Sequence, residues 1–247
     1  MARFDNKIAV VTGAGSGMGR EVSERLAAEG ALVIALDLHF PSPAPGVPPN
    51  PMIIRRLHDV ALPAQWDALA SELAPDGVDL LVNAAGVMDH AALLDTDLRA
   101  WRRTLAIDLD GVMLGMRALI PLMRRGRGRR GGGGAIVNFS SVLATVSLAH
   151  SPAYHAAKAA VTQLTRNAAV TYAPDGVRVN AVHPGVVATP MVLGQPAEVR
   201  EAAVARTPLG RLGTPREIAM CVLFMLSDDA AFMTGSAVVV DGGYSAQ

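Results

Sequence analysis

Tyr154 is followed four residues later by Lys158, and Ser141 stands thirteen residues upstream of the tyrosine. The Ala-rich run from Ala153 to Ala169 favours helix, and an i, i+4 pair on a helix shares one face. Phenol and ammonium would then be neighbours. A free tyrosine ionises near a pH of about 10 and is a poor base at neutrality, but an adjacent cation favours the phenolate. Ser141 follows the apolar run Ala135–Phe139, which reads as a strand, so its hydroxyl would sit at a strand's carboxyl end. There it can hold a substrate oxygen while the phenol takes or gives that oxygen's proton. Alone, Tyr-x-x-x-Lys is a common pair on solvated helices; the serine and the cofactor signals below give it weight.

The elements that must position these residues alternate along the chain. Apolar runs at Lys7–Thr12, Ala31–Leu36, Met52–Arg56, Val78–Val82, Ala135–Phe139, Val177–Val182 and Ala237–Val240 read as buried strands. Between them, Gly17–Glu29, Pro63–Leu73, Leu98–Met123 and Pro215–Leu226 suit helices. This order predicts an α/β fold, a parallel sheet with helices on both faces joined by right-handed crossovers. No repeat or linker divides residues 1–247, so one domain is expected. Residues 41–51 carry six prolines and predict an extended connection between the second and third strands. Five arginines lie within residues 124–130, ahead of four glycines, and read as a flexible solvated loop at the amino end of the fifth strand.

Gly13, Gly15, Gly17 and Gly19 directly follow the first strand and open a helix, with Ser16 and Met18 among them. Such glycines let the backbone turn tightly against a pyrophosphate, which the helix amino terminus stabilises. The spacing is Gly-x3-Gly-x-Gly rather than G-x-G-x-x-G, because Met18 stands where a glycine would be needed. Asp37 ends the second strand, where a carboxylate can accept from the adenosine ribose hydroxyls and repel a 2′-phosphate. Ser16 brings no positive charge to offset that repulsion, so NAD(H) is the expected cofactor.

Composition excludes several classes. Lys plus Arg and Asp plus Glu both number 22, and 51% of residues are hydrophobic, which argues against disorder and against bulk attraction to nucleic acid. The single cysteine, Cys221, excludes an internal disulfide and lies in the apolar stretch Ile218–Leu226 as an expected buried hydrophobe. The histidines lack ligand spacing, so no metal site is expected. No run approaches a membrane span, and Ile8–Val11 is too short for a signal-peptide core; a cytoplasmic protein is expected.

Together these residues resemble the short-chain dehydrogenase/reductase family over almost the whole chain. The matching motifs are Thr12–Gly19, Asp59-Val60, Asn83-Ala84-Ala85-Gly86, Ser141/Tyr154/Lys158, Pro184-Gly185 through Thr189, and Asp241-Gly242-Gly243. The resemblance implies a Rossmann fold with a doubly wound, seven-stranded sheet. It implies that Asp59 and Val60 flank the adenine, and that Asn83, Ala84 and Gly86 line the path of the adenosine ribose. Pro184 and Gly185 would lead to Val187 and Thr189, which hold the nicotinamide carboxamide. Lys158 would bind the nicotinamide ribose and favour the Tyr154 phenolate, with Ser141 orienting the reacting oxygen. The family commonly has an asparagine where this chain has Asp108, anchoring a water in a proton relay; an ionised carboxylate there accepts hydrogen bonds but donates none.

The implied activity is hydride transfer between NAD(H) and a secondary alcohol or ketone. Residues 190–207 would form a lid, with Met191, Val192 and Leu193 joining Leu143, Leu148 and Val187 around an apolar substrate. His150 could face that substrate, whereas His155 would point elsewhere on the helix. A 3-oxoacyl thioester reductase is an alternative that Asp37 disfavours, and a catalytically silent nucleotide-binding regulator is another that the intact Ser141, Tyr154 and Lys158 disfavour. Small and apolar residues spread around the Tyr154 helix and along Leu105–Met116, with a final strand at a sheet edge, predict two two-fold interfaces and a homotetramer.

Overall fold

The computed structural model describes residues 2–42, 48–125 and 133–247. Among these, strands β1 (Ile8–Thr12), β2 (Leu32–Asp37), β3 (Ile53–Leu57), β4 (Leu80–Asn83), β5 (Gly134–Phe139), β6 (Val177–Pro184) and β7 (Ala237–Val240) form one sheet. The sheet is parallel throughout, in the order β3-β2-β1-β4-β5-β6-β7. The order reverses beside β1, the switch point where open α/β sheets bind ligands at their carboxyl edge.

Side-chain alternation along the strands divides the core in two. Ala9, Val11, Val33, Ala35, Val82 and Val137 face helices α1 (Gly17–Ala28) and α8 (Pro215–Leu226). Ile8, Val10, Ile34, Leu36, Leu81 and Ile136 face α2 (Pro63–Leu73), α4 (Gly111–Arg125) and α5 (Pro152–Tyr172). Truncating a buried residue of either layer, such as Leu119 or Leu223, leaves a cavity that costs about 2–5 kcal/mol.

Three sequence expectations need correction. The two edge strands are not buried: Ile53 and Ile54 are half-buried while Arg55, Arg56 and Leu57 are exposed, and β7 is half-exposed. Apolar periodicity marks a strand but not its place in the sheet. The helix expected over Leu98–Met123 is interrupted, with α3 (Leu98–Leu105) passing through a π-helical turn at Ala106–Asp110 before α4. Cys221 is half-buried against the α1/α8 core layer, where burial raises its thiol pKa above the usual value.

Strands β2 and β3 are joined without a helix among the described residues; Pro43 and Pro45 lie outside them. Most of the arginine-rich run also lies outside them, although Arg124 pairs with Asp175 at 3.1 Å. No helix of the described residues is long and apolar enough to cross a membrane. None of their His, Cys, Asp and Glu residues group as metal ligands.

Candidate active site

Register brings Thr12, Leu36, Asn83 and Asn138 into one row across the sheet, so the motifs that follow these residues emerge together at its carboxyl edge. Thr12 ties two of them. Its Oγ1 accepts from the backbone N–H groups of Ala84 at 3.0 Å and Ala85 at 3.1 Å. Gly13 has a φ of 66° and lies so close to the Ala84 carbonyl that an added Cβ would stand 2.8 Å from it. Only glycine fits both demands. Beyond it, Ser16 caps α1 without a side-chain hydrogen bond, and the first turn carries no acidic residue. The helix therefore presents free N–H donors and the positive end of its dipole, as an anionic pyrophosphate requires.

That helix end opens into a cleft of about 260 Å³. Gly13, Ser16, Gly17, Met18 and Gly19 line it, together with Asp37, Asp59, Val60, Ala84, Gly86 and Thr189. Asp37 accepts from the Gly15 N–H through Oδ2 at 2.8 Å and from the His39 N–H through Oδ1 at 3.2 Å, which holds its carboxylate against the glycine loop. Asp59 Oδ1 accepts from the Ala61 N–H at 2.9 Å, and the Val60 carbonyl accepts from Trp66 Nε1 at 2.9 Å.

Asn83 stands apart from the cleft: its side chain is buried and donates to Asn138 Oδ1 at 2.8 Å. Gly185 and Val187 border a smaller neighbouring cleft near Thr207 and Asp241, and Pro184 ends β6. Val187 is itself buried and bridges to Gly213. The family motif did not single out His58, Arg103 or Ile107, yet all three line the main cleft. Arg103 and Ile107 are four residues apart, and Ile107 directly precedes Asp108, a helical spacing that could have drawn attention to them. Burial lowers the His58 imidazole pKa below its ordinary value despite the opposing charge of Asp59.

Helix α5 places Tyr154 and Lys158 on one face, with the lysine Nζ 5.4 Å from the phenol ring centroid. Tyr154 packs with Met88, Val142, Leu143, Leu148, Val186 and Tyr244 in an apolar cluster. Ser141 stands just beyond β5 and caps the short turn Val142–Ala144, its Oγ accepting from the Leu143 N–H at 3.1 Å. His155 braces the preceding loop rather than the substrate side: its ring lies 2.8 Å from the Ser151 carbonyl and accepts from the Leu148 N–H at 3.2 Å. His150 and Ser151 both adopt left-handed backbone, with φ of 71° and 58°. Strain of that kind concentrates where a loop is held for function.

Lys158 is buried and paired. Its Nζ donates to the Phe139 carbonyl at 3.0 Å and lies 3.0 Å from Asp108 Oδ2. Asp108 is buried too, and its Oδ1 accepts from the Val87 N–H at 2.8 Å. Burial is the largest influence on the ammonium and lowers its pKa. Asp108 and Tyr154 outweigh burial and hold the group above the ordinary lysine value. The π-helical turn is what carries Asp108 inward to this contact.

Residues 190–207 include α6 (Pro190–Leu193) and α7 (Ala197–Ala205), neither with a buried residue. Pro190 and Met191 reach the cleft wall, and Leu193 is exposed. Arg200 ties the two helices by donating to the carbonyls of Leu193 and Gln195.

Residues 13–245 match a family model described as enoyl-(acyl carrier protein) reductase. The chain is 43% identical to a cis-4-hydroxycyclohexanecarboxylate dehydrogenase of Sinomonas cyclohexanicum, over 98% of each chain. It is 39% identical to a cyclopentanol dehydrogenase of Comamonas sp. (strain NCIMB 9872), over the full length of both. Among solved structures, ligand-free aldohexose dehydrogenase of Thermoplasma acidophilum superposes with a TM-score of 0.89 at 32% identity. That match covers 100% of this chain and 96% of the other.

Proposed function

The chain belongs to the short-chain dehydrogenase/reductase family, and from that premise we propose that it oxidises the secondary alcohol of a small, largely apolar alicyclic molecule with NAD as hydride acceptor. One observation carries the reading. Tyr154 and Lys158 lie one helical turn apart at an apolar cluster, and Gly86, which lines the same cleft as Asp37, stands against the lysine.

The residues fit the dinucleotide. The Gly13 approach and the free N–H groups of α1 suit its pyrophosphate, and Asp37 suits an adenosine ribose with both hydroxyls free. Lys158 would hold the second ribose, and Val187 and Thr189 the carboxamide. When bound, NAD accepts the hydride from the carbinol carbon. Ser141 Oγ would hydrogen-bond the alcohol oxygen and fix it toward Tyr154 Oη, which, as phenolate, takes up its proton and becomes the phenol as the carbonyl forms. The Lys158 ammonium stands beside that phenol, 5.4 Å from its ring centroid.

Two named relatives act on ring alcohols, which supports an alicyclic substrate. Met88, Leu143, Leu148 and Val186 supply the apolar wall such a ring needs. Residues 190–207 serve as the lid over it, and the protein works as a homotetramer in the cytoplasm. The test is a panel of cyclopentanol, cyclohexanol, 4-hydroxycyclohexanecarboxylates and linear diols, followed by NADH absorbance. Turnover of ring alcohols with NAD is expected. Cofactor binding with no turnover of any alcohol or ketone would sink the reading in favour of a silent nucleotide-binding protein.

A further inference from the structure

The buried Asp108–Lys158 pair sits directly behind the cleft wall. A Cβ built on Gly86, which lines the cleft, would stand 2.8 Å from Asp108 Oδ2 and 3.4 Å from Lys158 Nζ. Side-chain exposure is 4% for the lysine and 0% for the aspartate, so neither charge is screened by water. The groups facing Lys158 can be named element by element. From its own helix comes the Tyr154 phenol, and from the π-helical turn the Asp108 carboxylate. Strand β5 offers the Phe139 carbonyl, and just beyond it the Ser140 hydroxyl donates to the Lys158 carbonyl. His183 on β6 is engaged with Thr162, one turn further along α5.

We propose that Asp108 is a positioning residue whose negative charge offsets the positive charge of Lys158, so that the site does not disfavour the oxidised cofactor relative to the reduced one. This rests on the cofactor reading above. The oxidised nicotinamide ring carries a positive charge and the reduced ring none; the rest of the dinucleotide is common to both. An uncompensated Lys158 ammonium would repel only the oxidised form. With Asp108 against it, the pair presents no net charge and that penalty disappears. The lysine also keeps its orientation. Its hydrogen bond to the Phe139 carbonyl and its ion pair with Asp108 hold it in place behind Gly86.

The ratio of the dissociation constants for NAD and NADH isolates this effect. Changes in lysine orientation, loop packing or pyrophosphate contacts act on both forms, whereas ring charge acts on one. Asp108→Asn should raise the NAD-to-NADH ratio on the order of tenfold, the size expected for one unit charge across several ångströms of partly polarisable protein. The double variant Asp108→Asn/Lys158→Met removes both charges while keeping the volumes close. It should return the ratio to that of the unmodified protein, although both affinities fall.

The experiment is calorimetric titration of each protein with NAD and with NADH, so no turnover is needed. An unchanged ratio in Asp108→Asn, or a double variant displaced tenfold from the parent, overturns the proposal. If the single variant does not fold, the double variant decides alone by whether its ratio matches the parent. Failure of the parent to bind either form would instead refute the dinucleotide reading.

Discussion

Asp37 should decide between NAD and NADP, and its surroundings allow the effect to be sized. Its carboxylate lies in the cleft, tied by hydrogen bonds to the N–H groups of Gly15 and His39. Those donors fix its position without a full counter-charge, and none of the salt bridges among the described residues involves Asp37. A phosphate of charge about −2 placed roughly 5 Å from this carboxylate would be repelled by about 2 kcal/mol in a fully water-like medium, and by more in the cleft. Loss of charge-assisted hydrogen bonds to the ribose adds about 1.5–3 kcal/mol. The sum predicts at least a few-hundredfold preference for NAD in kcat/KM.

Asp37→Asn tests this cleanly, because the amide oxygen can still accept from Gly15 and the side chain keeps its shape. NADP use should rise roughly tenfold to thirtyfold as the repulsion is removed, while NAD use falls. The assay is initial-rate kinetics with both cofactors at one saturating alcohol concentration. An NADP-to-NAD ratio that does not move in Asp37→Asn would refute the assignment of Asp37 to the ribose. A fall in both cofactors by the same factor would mean that the residue only supports the glycine loop.

Three other outcomes are expected. Tyr154→Phe keeps the ring in its apolar cluster but loses the proton acceptor, so turnover should drop about a hundredfold to ten-thousandfold while NADH binding survives; retention of most of the rate would show that another group is the base. His183 is buried against Thr162, and burial followed by the Arg166 charge lowers its pKa below 6.5, so the folded state holds it neutral while the unfolded chain protonates first. The stability this contributes is present above about pH 6.5 and is lost as pH falls through the lower folded value; His183→Gln should flatten the acid side of a melting-temperature profile, and an unaltered slope would exclude His183 as its source. Exposed Met220, Phe224, Phe232 and Val239 near edge strand β7, and exposed Met113 and Val170 on α4 and α5, give two apolar faces for a homotetramer; light scattering at micromolar concentration should return four chains, and a monomer would refute both interfaces.

The strands were legible because each is a short apolar run between breakers, and their ends fell within three residues of the structure. Edge position was not legible. Ile53 and Ile54 resemble central-strand residues, and only the sheet order shows that Arg55 and Arg56 lie on an open edge. The glycines of residues 13–19 and the carboxylates of Asp37 and Asp59, picked out in the sequence by their residue type, do line one cleft. His58, Arg103 and Ile107 did not, because a residue that lines a cavity by its place on a helix or after a strand carries no type-specific mark. Asn83 shows the opposite failure, in which motif membership suggested a cleft residue while the side chain turned into the core to meet Asn138.

Asp108 combines both problems. Its difference from the family's asparagine could be read from the chain, but its ion pair depended on helix phase. Thr104, Asp108, Val112 and Met116 are all buried and recur every four residues. In a regular α-helix of about 3.6 residues per turn, such a stripe rotates roughly 40° at each step and would leave the buried face within a few turns. The wider turn at Ala106–Asp110 absorbs part of that rotation. It lets α3 and α4 present one inward stripe, on which Val112 and Met116 complete the core and Asp108 meets Lys158. A π-helical turn has no residue signature of its own; what the sequence carries is the four-residue recurrence that an α-helix cannot keep in phase. The same local widening that solves a packing problem thus places a carboxylate beside Lys158.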